Sequence, residues 1–446
     1  MKRKDINTLL GTMLIPLAFF ILNYIILGVP INFFEMLMLI IISIFSVYFY
    51  SQKKDYLNPA IYFPILYFLI YWLGDFDFGL YPNVPTILWE YYLLGLIGFY
   101  LGAMAIDKLK IDPSKPVEKD YLSKNAILIF AFIYAIVLLT KFVIYLKSGI
   151  PLLASNIDAT RQSISEDYGP LKVIATAYTI LPVFFFYDIV SRKKNGLRVP
   201  KIDIIIIATS FFLAMLDVSR LLIIQMIIPM LFIYVLKVKR FKLKTIVLSA
   251  IVMILFIGGN KLVRNILDNP GYLASIQATR NTNMLENIFL SAFNSFRVGI
   301  DDFRQLVNVV PLSSSYTYGQ MFLNSILSPL PGKQIVMGYY VAQLLGMNFD
   351  GIGAATTILG MFYLDGGPMM IFVGMFLFAL FAMYYYKKYI KYSTVSIYSL
   401  FAVYILYYVI NTVRTNVMPT IEPLLVILYY IVFGSIARKA TQKDEK

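Results

Sequence analysis

Cysteine and histidine are both absent from this sequence of 446 residues. The first absence excludes disulfides, thiolate metal sites and cysteine nucleophiles. The second removes the commonest general base and the commonest metal ligand, which leaves Asp, Glu, Tyr, Lys and Arg for any chemistry. Charge is scarce as well: Asp, Glu, Lys and Arg together make up 14% of the chain, against about 25% in soluble domains. No Walker or dinucleotide glycine fingerprint follows a strand pattern. No low-complexity tract, internal repeat or soluble domain stands out, so nothing divides the chain into separate folding units.

What is abundant is apolar. Hydrophobic residues reach 59% and aromatics 16%, with 35 Tyr, where soluble domains hold roughly 45–50% apolar residues. Apolar runs of about 17–25 residues can cross a bilayer as helices. Such runs fall near 7–27, 31–50, 58–73, 86–106, 125–146, 171–190, 202–217, 220–237, 243–259, 367–386, 395–413 and 419–437. The expected fold is an all-α polytopic membrane protein of about 12 transmembrane helices, a single integral membrane domain over 1–446. The first run follows MKRK without a small-residue cleavage site, so it reads as an anchor, not a removed signal peptide.

Basic residues fall on alternate connections. One set carries Lys2 to Lys4, Lys53 and Lys54, Lys108 to Lys124, Arg192 to Lys201, Lys237 to Lys244, Lys387 to Lys391, and Arg438 to Lys446. It holds roughly two thirds of all Lys and Arg, and the positive-inside rule puts it in the cytoplasm together with both termini. The net charge of +14 is then a topology signal, and nucleic acid is not an expected partner.

The remaining connections are extracytoplasmic. Two are long and polar, 147–170 and 260–366. Basic residues on this side are mostly arginines, namely Arg161, Arg220, Arg264, Arg280, Arg297, Arg304 and Arg414, whereas lysine dominates the cytoplasmic set. Orientation alone does not select Arg over Lys. Bidentate recognition of phosphate does, because the guanidinium offers a planar fork of donors at fixed charge. Pairing with local acids, or snorkelling at span ends, is the alternative for any single one.

Within the long loop, 286–310 has helical periodicity. Phe289, Phe293, Phe296, Ile300, Phe303 and Val307 share one stripe; Asn294, Arg297, Asp301, Arg304 and Asn308 share another. The expectation is an amphipathic helix with its cation–carboxylate row toward water and Arg297 paired to Asp301 four positions on. Asp217, Ser219 and Arg220 sit between two spans with almost no loop, where ionisable groups usually face a cavity. Arg414 and Glu422 occupy a similar place at the last outside turn. Residues 351–364 are apolar enough to enter the membrane, yet a full span there would put KKYIK on the wrong side. They read as a re-entrant or interfacial helix packed over the site.

Four stretches give the chain a family likeness: GIPLL followed by Asp158 and Arg161, the DVSR turn opening a span at Arg220, YTYG running on to LPGK (Tyr316 to Lys333), and the apolar stretch ending in LDGG before a late span. In these, and in the layout of spans and enlarged loops, the chain resembles the bacterial oligosaccharide repeat-unit (O-antigen) polymerases of Wzy type. Members with a basic residue after the penultimate signature's IP differ here, where Gly332 precedes Lys333. The resemblance implies a GT-C-like fold in the bacterial cytoplasmic membrane. It implies a glycosyltransferase that joins two polyprenyl-pyrophosphate-linked oligosaccharides at the outer face and releases polyprenyl pyrophosphate. Under it, the arginines hold the diphosphate, Asp217, Asp301 or Asp302 takes the acceptor proton, and Tyr316, Tyr318 and Lys333 touch substrate. It calls for no cofactor and no metal, and it brings a chain-length regulator and a flippase as partners. Two other readings stand beside it. A lipid-linked glycan ligase would bring a His in the long outer loop, and this chain has none. A flippase would be built from repeats with short loops.

Overall fold

A computed structural model of the chain describes residues 32–53, 55–75, 85–114, 120–154, 169–239, 283–327, 337–347, 354–391, 395–415 and 422–443, with isolated positions between 157 and 164 and between 255 and 266. Every regular element among them is helical. In chain order these are α1 (Phe33–Lys53), α2 (Pro59–Asp75), α3 (Thr86–Lys108), α4 (Lys124–Ser148), α5 (Gly169–Ala175), α6 (Ala177–Lys194), α7 (Lys201–Leu216), α8 (Arg220–Lys237), α9 (Met284–Val309), α10 (Gln320–Leu327), α11 (Met337–Leu344), α12 (Thr357–Tyr385), α13 (Leu400–Thr412) and α14 (Glu422–Lys443).

Seven stretches among the described residues are long and apolar enough to cross a membrane: Phe33–Gln52, Thr86–Lys108, Lys124–Leu153, Val173–Lys194, Arg220–Lys237, Thr357–Ile390 and Glu422–Ala440. Each coincides with a predicted span. The runs near 58–73, 202–217 and 395–413 are helical but shorter. The run at 7–27 and most of 243–259 lie outside the described residues. One face of α4 carries Leu128, Phe132, Leu139, Phe142 and Leu146, all exposed. A purely hydrocarbon surface of this kind suits lipid, since no polar group needs a partner there.

The tightest packing joins α3 to α12. Gly95, Gly98 and Gly102 line one face of α3, and a Cβ on Gly102 would meet the Phe376 carbonyl oxygen at 2.3 Å. A Cβ on Gly98 would meet that of Phe372 at 2.5 Å. Small residues at this spacing let two helix backbones touch, which is how helices associate where lipid supplies no hydrophobic drive.

α12 is two helices in one. Its path breaks at Gly366 and Gly367, the latter at φ 68°, just before Pro368. The shorter arm folds back on the longer one, so that Phe362 occupies the space a side chain at Gly374 would need. Gly95 of α3 meets both arms, with Leu359 of the first and Ile371 of the second beside it. The described part of 351–364 is thus a helical arm doubled back against a span, as a re-entrant segment would be.

Several of the basic residues that the positive-inside pattern assigns to one set also make structural contacts. Lys387 donates to the backbone carbonyls of Ile106, Asp107 and Leu109 at the C-terminal end of α3, where a cation offsets the helix dipole. Lys237 pairs with Asp120, which also accepts from Tyr187 at 2.5 Å and from the backbone N–H of Ile397 at 3.3 Å. Arg192 binds Asp188 at 2.5 Å. These contacts clamp helix ends together.

Candidate functional site

The site is organised around α9. Asn283 starts this helix with a capping box: its side chain accepts from the Glu286 N–H, and the Glu286 carboxylate accepts in return, each at 2.9 Å. Two orphan donors of the first turn are satisfied in this way. The apolar stripe packs inward, with Ile300 and Phe303 fully buried. The polar row faces water only in part: Asn308 is exposed and Asn294 and Arg304 are half-buried, but the pair at its centre is not open to solvent as expected. Arg297 is fully buried, and Asp301 and Asp302 are nearly so. Burial is tolerated because the charges are matched: Arg297 Nε binds Asp301 at 3.0 Å, and its Nη1 donates to the carbonyl of Gly74 at the end of α2. Arg304 approaches the other oxygen of Asp301 at 3.6 Å. The Arg297–Asp301 pair read from spacing is present, but its task is to latch α9 to α2. A guanidinium so enclosed is no longer available to a ligand, which corrects its assignment as a phosphate contact.

Two arginines from distant spans meet α9 at a single residue. Arg220, first residue of α8, directs Nη1 to the Ser295 hydroxyl at 3.3 Å. Arg414, just past α13, donates Nε to the Ser295 carbonyl at 2.8 Å. Both are half-buried. Among the described residues Arg414 has no carboxylate partner, and the protein packed around it lowers its pKa from the usual guanidinium value. Holding an unpaired cation there is costly, and such a cost is typical of a place that waits for an anion. Gly299, one turn along α9, allows the approach: a Cβ there would lie 2.7 Å from the Ala355 carbonyl and 3.3 Å from that of Arg414.

Asp302 sits on the same side. Its Oδ2 accepts from the Ala355 N–H at 2.9 Å, and burial pushes its pKa up to about 6. A carboxyl in that range can take up a proton near neutral pH. Asp301, by contrast, is bound to two arginines. Asp217 is held more firmly still: Lys141 reaches both its oxygens, at 2.8 and 2.6 Å, while the hydroxyls of Tyr145 and Tyr178 donate to it at 2.8 and 2.6 Å. These three donors, one of them cationic, engage both carboxylate oxygens. The geometry gives Asp217 a structural task, tying α4, α6 and α7 together, instead of the base role it was a candidate for.

Two motifs far apart in sequence touch. The Thr317 hydroxyl donates to Asp365 at 2.5 Å, its N–H donates to the Leu364 carbonyl at 2.9 Å, and the Gly319 N–H donates to Asp365 at 3.1 Å. The YTYG segment is thereby fastened to the LDGG break in α12. Tyr316 lies against Gly367, where a Cβ would come within 2.8 Å of its hydroxyl. Tyr318 is 80% exposed, free to meet a ligand. Arg161, Arg264, Arg280 and Lys333 lie outside the described residues.

Sequence reading missed Ser295, since a lone serine on a helix carries no signal until the chain folds, and it singled out LDGG without giving Asp365 a role. Among the described residues no three carboxylates gather as a metal site would require. Fold and site together define an α-helical, membrane-embedded protein whose helix ends gather arginines on one long amphipathic helix. Compared with family models, with curated proteins and with solved structures, the chain finds no match in any of the three.

Proposed function

We propose that the protein is a glycosyltransferase that polymerises polyprenyl-pyrophosphate-linked oligosaccharide units at the outer face of the bacterial cytoplasmic membrane. In this reading about 12 spans, with both termini cytoplasmic, form a GT-C-like bundle, and a flippase and a chain-length regulator act beside it. The observation that carries it is the convergence of Arg220 and Arg414 on Ser295, with Arg414 lacking an acid partner among the described residues. A diphosphate seated there would supply the missing negative charge in bidentate geometry.

The chemistry follows from that placement. A hydroxyl at the non-reducing end of the acceptor attacks the anomeric carbon of the donor chain. The carbon–oxygen bond to the pyrophosphate breaks, and that oxygen leaves with the electron pair. Arg220 and Arg414 stabilise the charge developing on it. Asp302 takes the proton of the attacking hydroxyl, being the one of the three candidate acids whose burial tunes it toward neutrality without a bound cation.

The missing cysteines make the test direct. Arg220→Cys and Arg414→Cys, each the sole thiol in the chain, should label from outside the cell and abolish long polymer while single repeat units accumulate on the outer lipid. Full-length polymer from both variants refutes the reading. Substrate trapped on the cytoplasmic face would mark a transporter instead.

A further inference from the structure

Beside the two arginines a cleft of about 120 Å³ opens between α8, α13 and α14. It begins at Leu221, next to Arg220, and at Thr415, next to Arg414. Its walls carry three tyrosines, Tyr404, Tyr407 and Tyr408, with Gln225, Asn411 and Glu422 among them. The Tyr408 hydroxyl is buried with no hydrogen-bond partner among the described residues. Leaving such a donor unpaired is unfavourable, and a ligand hydroxyl would satisfy it.

Resting on the polymerase reading, we infer that this cleft is a saccharide subsite that seats the terminal sugar of the acceptor. Aromatic faces pack against the C–H faces of a sugar ring, and amides and a carboxylate accept and donate to its hydroxyls. A polyprenyl tail would use the tyrosines but not the polar set. Lining its slot with two amides and an acid would only add desolvation cost. The volume is below the roughly 300–1,000 Å³ of pockets for drug-sized ligands, so it fits one sugar unit and leaves the rest of the glycan outside. The neighbouring arginines then lie where the donor's diphosphate must come for the acceptor hydroxyl to reach the anomeric carbon.

The test uses full-length protein in lipid nanodiscs and two probes: the lipid-free oligosaccharide released by mild acid from the cell's own lipid-linked pool, and polyprenyl phosphate. Saturation-transfer NMR and calorimetry should show the free oligosaccharide binding wild type and Arg220→Ala alike, since that probe has no phosphate. Asn411→Ala and Tyr407→Ala should each weaken it at least tenfold, while Tyr407→Phe, which keeps the ring, loses only a few-fold. Thermal melts identify any variant that fails to fold, and Asn411→Gln and Tyr407→Phe then carry the comparison. Absence of saccharide binding to wild type overturns the inference, as does equal binding by the cleft variants. Weakened polyprenyl phosphate binding in those variants with no loss of oligosaccharide assigns the cleft to lipid. Failure of the polymerase reading is seen separately, as long polymer surviving in Arg220→Cys and Arg414→Cys.

Discussion

Arg414 reaches across 119 positions of chain to donate Nε to the carbonyl of Ser295 at 2.8 Å, and the same serine's hydroxyl meets Arg220. The carbonyl holds Arg414 whatever side chain stands at 295, whereas the contact between Arg220 and this serine needs the hydroxyl. Ser295→Ala should therefore cost Arg220 one charge-assisted hydrogen bond, about 1.5–3 kcal/mol, and slow polymerisation by about 10- to 100-fold without abolishing it. Arg414→Lys should abolish polymer, because an ammonium keeps the charge but loses the planar fork. Polymer length profiles on gels from otherwise identical cells check both, and equal loss in the two variants contradicts the division of labour.

The Lys141–Asp217 pair offers a test of structural against chemical roles. Both side chains are buried and joined by a salt bridge of 2.6 Å. Breaking such a pair by removing one partner costs about 3–5 kcal/mol, since a bare charge is left behind, while replacing both can be close to neutral. Asp217→Asn and Lys141→Met should each lower the melting temperature of detergent-purified protein sharply, and the double variant should recover much of the loss. Recovery of polymer in the double variant is the expected companion result. A stable but inactive double variant would return Asp217 to the chemistry.

Helix packing gives a third expectation. Gly102→Leu would drive a side chain into the Phe376 carbonyl, 2.3 Å from the position of its first carbon. Backbone cannot yield as a flexible side chain can, so α3 and α12 must separate. Overpacking of a tight contact costs about 1–3 kcal/mol or more, and here it also moves the doubled-back arm that Gly95 supports. Protein yield and melting temperature should fall together, whereas Ile97→Ala, at an exposed position of the same helix, should leave both near wild type.

Contacts made within a few residues were legible beforehand, and contacts across the chain were not. The Arg297–Asp301 pair follows from helical spacing alone, and the break before the late span follows from Gly366, Gly367 and Pro368. Whether the row on α9 meets water depends on what packs over it, and the Gly74 carbonyl that buries Arg297 is 223 positions away. Lys141 and Asp217 are separated by 76 residues and three helices' worth of chain, so their pairing leaves no periodic trace. The serine that gathers two arginines is likewise invisible until α8, α9 and α13 are brought to one place.

Asp302 makes the pH dependence predictable in sign. Burial raises its pKa from 3.8 to about 6 because the ionised form is poorly solvated where α9 packs against the chain at Ala355. A proton acceptor must be ionised, so polymerisation should be slow below pH 5, climb through about 6 and level off above it. Stability should move the opposite way. The folded carboxyl holds a proton that the unfolded one has already lost between pH 3.8 and 6, so this contribution is full below the lower value and fades as pH rises through the upper one. Asp302→Asn stays neutral throughout and keeps an oxygen for the Ala355 N–H, so it should lose polymerisation at every pH while its melting temperature lacks that acid-to-neutral decline. Activity in the Asn variant with an unchanged pH profile would remove Asp302 from the reaction and leave it as a structural acceptor for Ala355.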